Sequence, residues 1–140
     1  MYRLYNPYLG EHLYTSSQSE ISNLTANWGW RLEGPAWVAP AEGSAEAAEP
    51  VFRLYNLVSG EHLYTRSGAE AAALDAMADW RLEGTAFWSA GPDGVPVCRL
   101  YNPGLRFSHH YPASEPEWSM LVASWGWRME GVSWYGLKQG

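Results

Sequence analysis

Cysteine is all but missing from this chain. Cys98 stands alone, so there is no disulfide framework and no thiolate cage for a metal. It takes the strand position held elsewhere by Tyr2 and Phe52, which marks it as a small buried apolar residue rather than a reactive thiol. Cations are scarce as well: nine Lys and Arg face fifteen Asp and Glu, for a net charge of −6. Binding a phosphate backbone by counterion release needs a basic stripe, so no nucleic-acid partner is expected. The acidity itself is no partner signal, because Glu42, Glu46 and Glu49 lie together in the stretch Pro40 to Pro50. No apolar run approaches the ~18 residues of a membrane span, so membrane insertion is not expected. No signal peptide is read at Met1. There is no nucleophile elbow, phosphate loop or His-Glu-x-x-His, and no cofactor is expected.

What is present is one pattern written three times. Tyr2-Arg3-Leu4-Tyr5-Asn6 returns as Phe52-Arg53-Leu54-Tyr55-Asn56 and as Cys98-Arg99-Leu100-Tyr101-Asn102. Each copy continues through a His-x-Tyr (His12/Tyr14, His62/Tyr64, His109/Tyr111) and a Ser-x-x-Glu (Ser17/Glu20, Ser67/Glu70, Ser114/Glu117). Each closes on Trp-Arg-Leu/Met-Glu-Gly, at Trp30 to Gly34, Trp80 to Gly84 and Trp127 to Gly131. A fixed period of this size is the signature of a repeat architecture. One domain is expected over residues 1–140, made of repeats 1–49, 50–95 and 96–140.

Within a copy, the alternation in Tyr2 to Asn6 and in Glu11 to Thr15 predicts two strands joined by a Pro/Gly turn. Ser17-x-x-Glu20 predicts a helix start with a reciprocal capping box. Apolar residues at helical spacing follow, such as Ile21, Leu24 and Trp28. Trp30 to Glu33 predicts a third strand, Gly34 a turn or bulge, and Ala36 to Val38 a fourth strand. Leu4, Leu54, Leu100, Leu24, Leu74, Leu121, Leu32, Leu82 and Met129 read as core. The fold class is therefore all-β with short helices. A β-trefoil of three ~47-residue repeats, each of four strands and one helix, closes the sheet edges around a six-stranded barrel. The alternative is a propeller-like assembly, which with only three blades needs oligomerisation. The linkers Pro40 to Pro50 and Ser89 to Pro96 read as surface loops, the first of them mobile.

The strings Arg-Leu-Tyr-Asn, Gly-Glu-His-Leu-Tyr-Thr and Trp-Arg-Leu-Glu-Gly resemble a bacterial repeat family of unknown function, over nearly the whole chain. The resemblance implies a non-catalytic appendage of a secreted or cell-surface protein, attached to a glycan hydrolase in a longer parent chain. Copy three departs from the pattern, with Arg106 to Pro112 in place of Gly-Glu-His-Leu-Tyr-Thr.

Aromatic rings beside Arg, Glu, Asn and His suit polyhydroxylated ligands, which need a flat apolar face and bidentate hydrogen bonds. The candidate binding residues are Asn6, Glu11, His12, Tyr14, Trp30 and Arg31; Asn56, Glu61, His62, Tyr64, Trp80 and Arg81; and Asn102, His109, Tyr111, Trp127 and Arg128. They predict a non-catalytic, lectin-like module, a monomer, with up to three equivalent glycan sites reinforced by multivalency and with copies one and two favoured. Two bland roles compete at the same positions. Arg31/Glu33 and their equivalents, with Arg3, Arg53 and Arg99, suit an ion-pair network. The His-x-Tyr pairs suit a brace in which Tyr14 packs inward with its hydroxyl tied to backbone. Convergence of His12, His62 and His109 on the threefold axis would make a metal site only if their strands line it. A glycosidase needs two carboxylates free to face one cleft, whereas each repeated carboxylate here has an Arg two residues away or a helix to cap, so no enzyme is expected. The alternative function is a protein-binding or inhibitory trefoil acting through loops such as Pro40 to Pro50; a ligand-free spacer is the third.

Overall fold

Alternating side chains, turn residues and helix caps recur in the same order in each copy, and so do the elements they build. The computed structural model describes residues 1–105 and 108–139. Copy one runs through β1 (Tyr2–Asn6), β2 (Glu11–Thr15), α1 (Gln18–Asn27) and β3 (Arg31–Pro35). Copy two follows with β4 (Glu49–Asn56), β5 (His62–Thr65), α2 (Gly68–Asp75) and β6 (Trp80–Ser89), and copy three with β7 (Val95–Asn102), β8 (Ser108–His110), α3 (Glu115–Trp125) and β9 (Arg128–Gly136). No helix among the described residues is long and apolar enough to cross a membrane.

Each copy forms its own three-stranded antiparallel sheet with its first strand in the middle: β2-β1-β3, β5-β4-β6 and β8-β7-β9. Two expectations are corrected here. The four strands per copy are three, because in copies two and three the segments on either side of the bulge glycine are one continuous strand. In copy one the strand ends at Pro35. The closed six-stranded barrel is not formed: among the described residues the sheets stay separate, and one copy is tied to the next by side chains and by isolated backbone bonds such as Ala90 N–H to Tyr135 O and Leu137 N–H to Val38 O.

The bulge has a consequence for side-chain direction. Leu4 stands opposite Leu32 but Arg3 opposite Gly34, so Glu33 is the extra residue, and Gly34 takes φ +110° to accommodate it. Glu33 is thereby free to reach Arg3. Leu32, Leu82 and Met129, expected in the core, lie at the sheet margins and are exposed. The buried helix residues pack on the first two strands: Leu4, Leu13, Ile21 and Trp30 form one cluster, Leu54, Leu63 and Ala71 another. A third, larger cluster joins all copies, with Tyr14, Tyr64 and Tyr111 packed against Trp37, Phe87 and Trp134. Cys98 is buried, and burial raises its thiol pKa.

The first linker is more structured than a loop. Its middle makes two successive turns, Ser44 N–H to Ala41 O and Ala47 N–H to Ser44 O. Ala48 N–H bonds Ser89 O, and Glu49 and Pro50 already belong to β4.

Candidate functional site

On β2, β5 and β8, side chains alternate between the helix-covered face and the face turned to the neighbouring copy. Tyr14, Tyr64 and Tyr111 are therefore brought together, completely buried, with centroids 5.4–5.9 Å apart in edge-on contact. Tyr64 Oη accepts from Tyr14 N–H at 2.9 Å and donates to Tyr14 O at 3.1 Å. Tyr111 Oη accepts from Tyr64 N–H at 2.9 Å, and Tyr14 Oη from Tyr111 N–H at 3.2 Å, closing the ring. Burial pushes all three phenol pKa values up. The tyrosines take the inward bracing position.

The same face carries the histidines. Glu11 accepts from the backbone N–H and the Nδ1–H of His62, the latter at 2.7 Å, and Glu61 does the same for His109. Copy three has Ser108 where Glu11 and Glu61 stand, so His12 lacks this partner. At that seam His12 instead lies against the His110 ring, centroids 4.4 Å apart, with its Nε2 3.1 Å from Glu33. His110 accepts from Tyr14 Oη at Nδ1 (3.1 Å) and donates from Nε2 to Glu117 (2.7 Å). Burial, then His110 and Arg3, push the His12 pKa down to about 3. The His110 hydrogen bond and Arg3 hold Glu117 down to about 2 against its burial. Among the described residues no three His, Cys, Asp or Glu are placed to hold a metal ion. Each axis-side histidine is engaged elsewhere.

Arginine clamps lie further out. Arg53 donates Nε–H to Glu83 of its own copy (2.8 Å) and forks both Nη groups onto Glu20 of the preceding helix (3.0 Å each). Arg99 joins Glu130 and Glu70 in the same way, and Arg3 joins Glu33 and Glu117. The expected pairing of Arg31 with Glu33 is replaced by Arg3 with Glu33, because the bulge turns that carboxylate inward. The reciprocal capping box is also altered. Ser17 and Ser67 accept from the N–H of Glu20 and Glu70, but the glutamate side chains leave the helix for an arginine. Clefts of about 260, 470 and 510 Å³ flank the three clamps, the largest between copies three and one.

Of the candidate residues, Glu11, Glu61, His12, His62, His109 and the three tyrosines thus meet between copies rather than in one exposed site. Asn6 and Asn56 accept from two backbone N–H groups of their turns, and Asn102 from Gly104 N–H. Trp30 is buried beneath α1, while Arg31, Arg81 and Arg128 are exposed and make no ion pair among the described residues.

Two candidate residues, Asn102 and Trp127, border a groove in copy three. Asn102, Gly104 and Leu105 of the β7–β8 turn, with Leu121 and Trp125 of α3 and Trp127, line a groove of about 380 Å³. Trp125 is 67% exposed and Trp127 half-buried. Gly126 between them adopts φ +73° and ends the helix, which lets the chain turn back and present both indoles. Copy one has Trp28, Gly29 and Trp30 at these positions, but Tyr8 lies over Gly29, its Cε2 3.1 Å from where a Cβ would be. Copy two has Ala78 in place of the first tryptophan. Sequence reading missed Trp125 because it looked like one more apolar helix residue; its signal is Trp-Gly-Trp at a helix end, a pattern copy two lacks.

The fold and its seams define a β-rich protein built from three copies of one strand–strand–helix–strand unit. The chain belongs to the family described as Domain of unknown function (DUF5648), whose model matches residues 1–137. No curated protein and no solved structure matches it.

Proposed function

We propose that this chain is a non-catalytic, lectin-like glycan-binding module, and that its site is the tryptophan groove of copy three. The observation that carries this reading is the pair Trp125 and Trp127 bordering an open groove next to Asn102. Indoles supply flat apolar faces and N–H donors, and the groove lies within the size range of small-ligand pockets. Against catalysis stands the state of the carboxylates: those of the three arginine clamps, Glu20, Glu33, Glu70, Glu83, Glu117 and Glu130, are all held by an arginine. The trefoil-like triplication then serves as scaffold, presenting one differentiated copy rather than three equal sites. Cell-wall or surface polysaccharide is the target class in keeping with the resemblance to surface appendages, as are a monomer, an extracellular setting and a hydrolase in the parent chain.

The test is a glycan array, peptidoglycan fragments included, read with the native chain and with Trp125→Ala. Binding that falls roughly ten-fold or more in the variant, a hot-spot-sized loss, supports the reading. A blank array on folded protein defeats it.

A second reading is a protein-binding module acting through the first linker. It is favoured by a groove of about 390 Å³ in which Pro40, Ala41 and Glu42 meet Phe87 and Trp88. Shortening residues 41–47 abolishes a partner contact of this kind and leaves glycan binding intact.

A further inference from the structure

The three seams carry the same arginine clamp but not the same cleft. Between copies two and three the protein spans the cleft itself: Arg66 reaches Glu49 at 2.9 Å, with its guanidinium 5.6 Å from the centre of the Tyr135 ring. Between copies three and one the positions of Arg66, Glu49 and Tyr135 hold Ala113, Val95 and Val38. That ion pair is therefore absent, and with Leu137 these side chains give the cleft an aliphatic end. Its polar end differs as well. Arg53 and Arg99 each spend both Nη groups on the helix glutamate, one on each carboxylate oxygen. Arg3 meets both oxygens of Glu117 through Nη1 alone, at 2.8 and 3.2 Å, while His110 claims the same carboxylate. Arg3 Nη2 has no partner among the described residues. Ser17 and Ser67 spend their hydroxyls on helix caps, whereas Ser114 caps nothing. Two unspent donors thus belong to residues lining an otherwise apolar cleft of about 510 Å³, a volume typical of small-molecule sites.

We infer that the seam between copies three and one binds a neutral amphiphile, an aliphatic acyl chain ending in an amide or ester. The carbonyl oxygen, with two lone pairs, accepts from Arg3 Nη2–H and Ser114 Oγ–H. The chain lies along Ala113, Val95, Val38 and Leu137, and burying its methylenes drives binding. A carboxylate head is disfavoured, because Arg3 already serves Glu33 and Glu117, two carboxylates for one guanidinium. The site sits at the first turn of α3, the opposite end from Trp125, and does not depend on the tryptophan groove.

The experiment is a titration of octanamide and of octanoate into the ¹⁵N-labelled chain, followed at the indole N–H of Trp37, whose side chain lines the cleft. It is run on the native chain, on Ser114→Ala and on Ala113→Arg/Val95→Glu, which transplants the ion pair of copy two and leaves the clamp untouched. The expected result is a saturable shift with octanamide in the native chain and none in the double variant. Ser114→Ala should raise the dissociation constant roughly two- to ten-fold, the loss of one hydrogen bond. Octanoate should bind roughly ten-fold or more weakly than octanamide, the cost of an anion left without a matched partner. No saturable shift in the native chain, or octanamide binding that survives the double substitution, overturns the site. Octanoate binding as tightly as octanamide, or unchanged affinity in Ser114→Ala, overturns the neutral carbonyl head.

Discussion

The tyrosine hydroxyls show how much one atom can carry in this protein. Tyr64 Oη satisfies both the N–H and the C=O of Tyr14 in a site with no water access. Tyr64→Phe should therefore cost about 1–3 kcal/mol, the penalty of leaving buried backbone groups unpaired, measured by urea unfolding. The indoles of Trp37 and Trp134 are the opposite case, since their buried N–H groups have no partner among the described residues. Phe87 holds the same position in copy two, so Trp37→Phe should cost less than Tyr64→Phe in the same assay. His12 supplies the pH dependence. It is faced by His110, Arg3, Glu33, Glu117 and Tyr5, and its pKa is lowered from 6.5 to about 3. Between those values the unfolded chain holds a proton that the folded chain refuses, so stability falls as the pH drops through that window. Glu117, lowered from 4.5 to about 2, adds a loss in the same direction further down. His12→Gln should flatten the slope of unfolding free energy against pH by about one proton between about pH 6 and 4, leaving the lower limb in place. That His12 and Tyr14 share a face was legible from strand alternation. Which copy they would meet was not, because the partner of Glu11 lies 51 residues away.

At the scale of elements, the Ser-x-x-Glu signal located all three helices, but the side chains divide their labour differently from a capping box. The serine caps, the glutamate clamps the next copy, and Thr15 or Thr65 accepts the serine's own N–H instead. Copy three has Pro112 in place of that threonine, and Ser114 makes no side-chain cap. Ser17→Ala should accordingly lower stability by about 1 kcal/mol, and Ser114→Ala should leave it nearly unchanged, in parallel thermal melts. The strand count was misread for a local reason. Gly34, Gly84 and Gly131 look like turn residues, yet at φ +110° to +114° they sit in bulges, where the copy-two and copy-three strands run on. A bulge also breaks the two-residue period, which is why Leu32, Leu82 and Met129 read as core and stand at the surface.

The whole molecule is a ring of copies held by groups that repeat in sequence but bond out of sequence. Periodicity alone revealed the triplication, and the repeated Arg3, Arg53 and Arg99 hinted at a network. That each arginine bridges its own sheet to the preceding helix is a property of the ring, invisible within one copy. The same holds for the candidate site. Most residues repeated three times are engaged between copies or within turns, Arg31, Arg81 and Arg128 excepted, whereas the groove adds to the repeated Asn102 and Trp127 two residues that are not repeated three times: Trp125 and Gly104. The most direct test of this division is the indole region of a ¹⁵N–¹H spectrum, where the nine tryptophans report separately as a β-linked oligosaccharide is added. The account predicts that the Trp125 and Trp127 indoles shift in a saturable manner while Trp37, Trp134 and Trp30 stay where they are. Saturable shifts at the buried indoles with none at Trp125 and Trp127, or no shifts at all with any glycan tried, would contradict it.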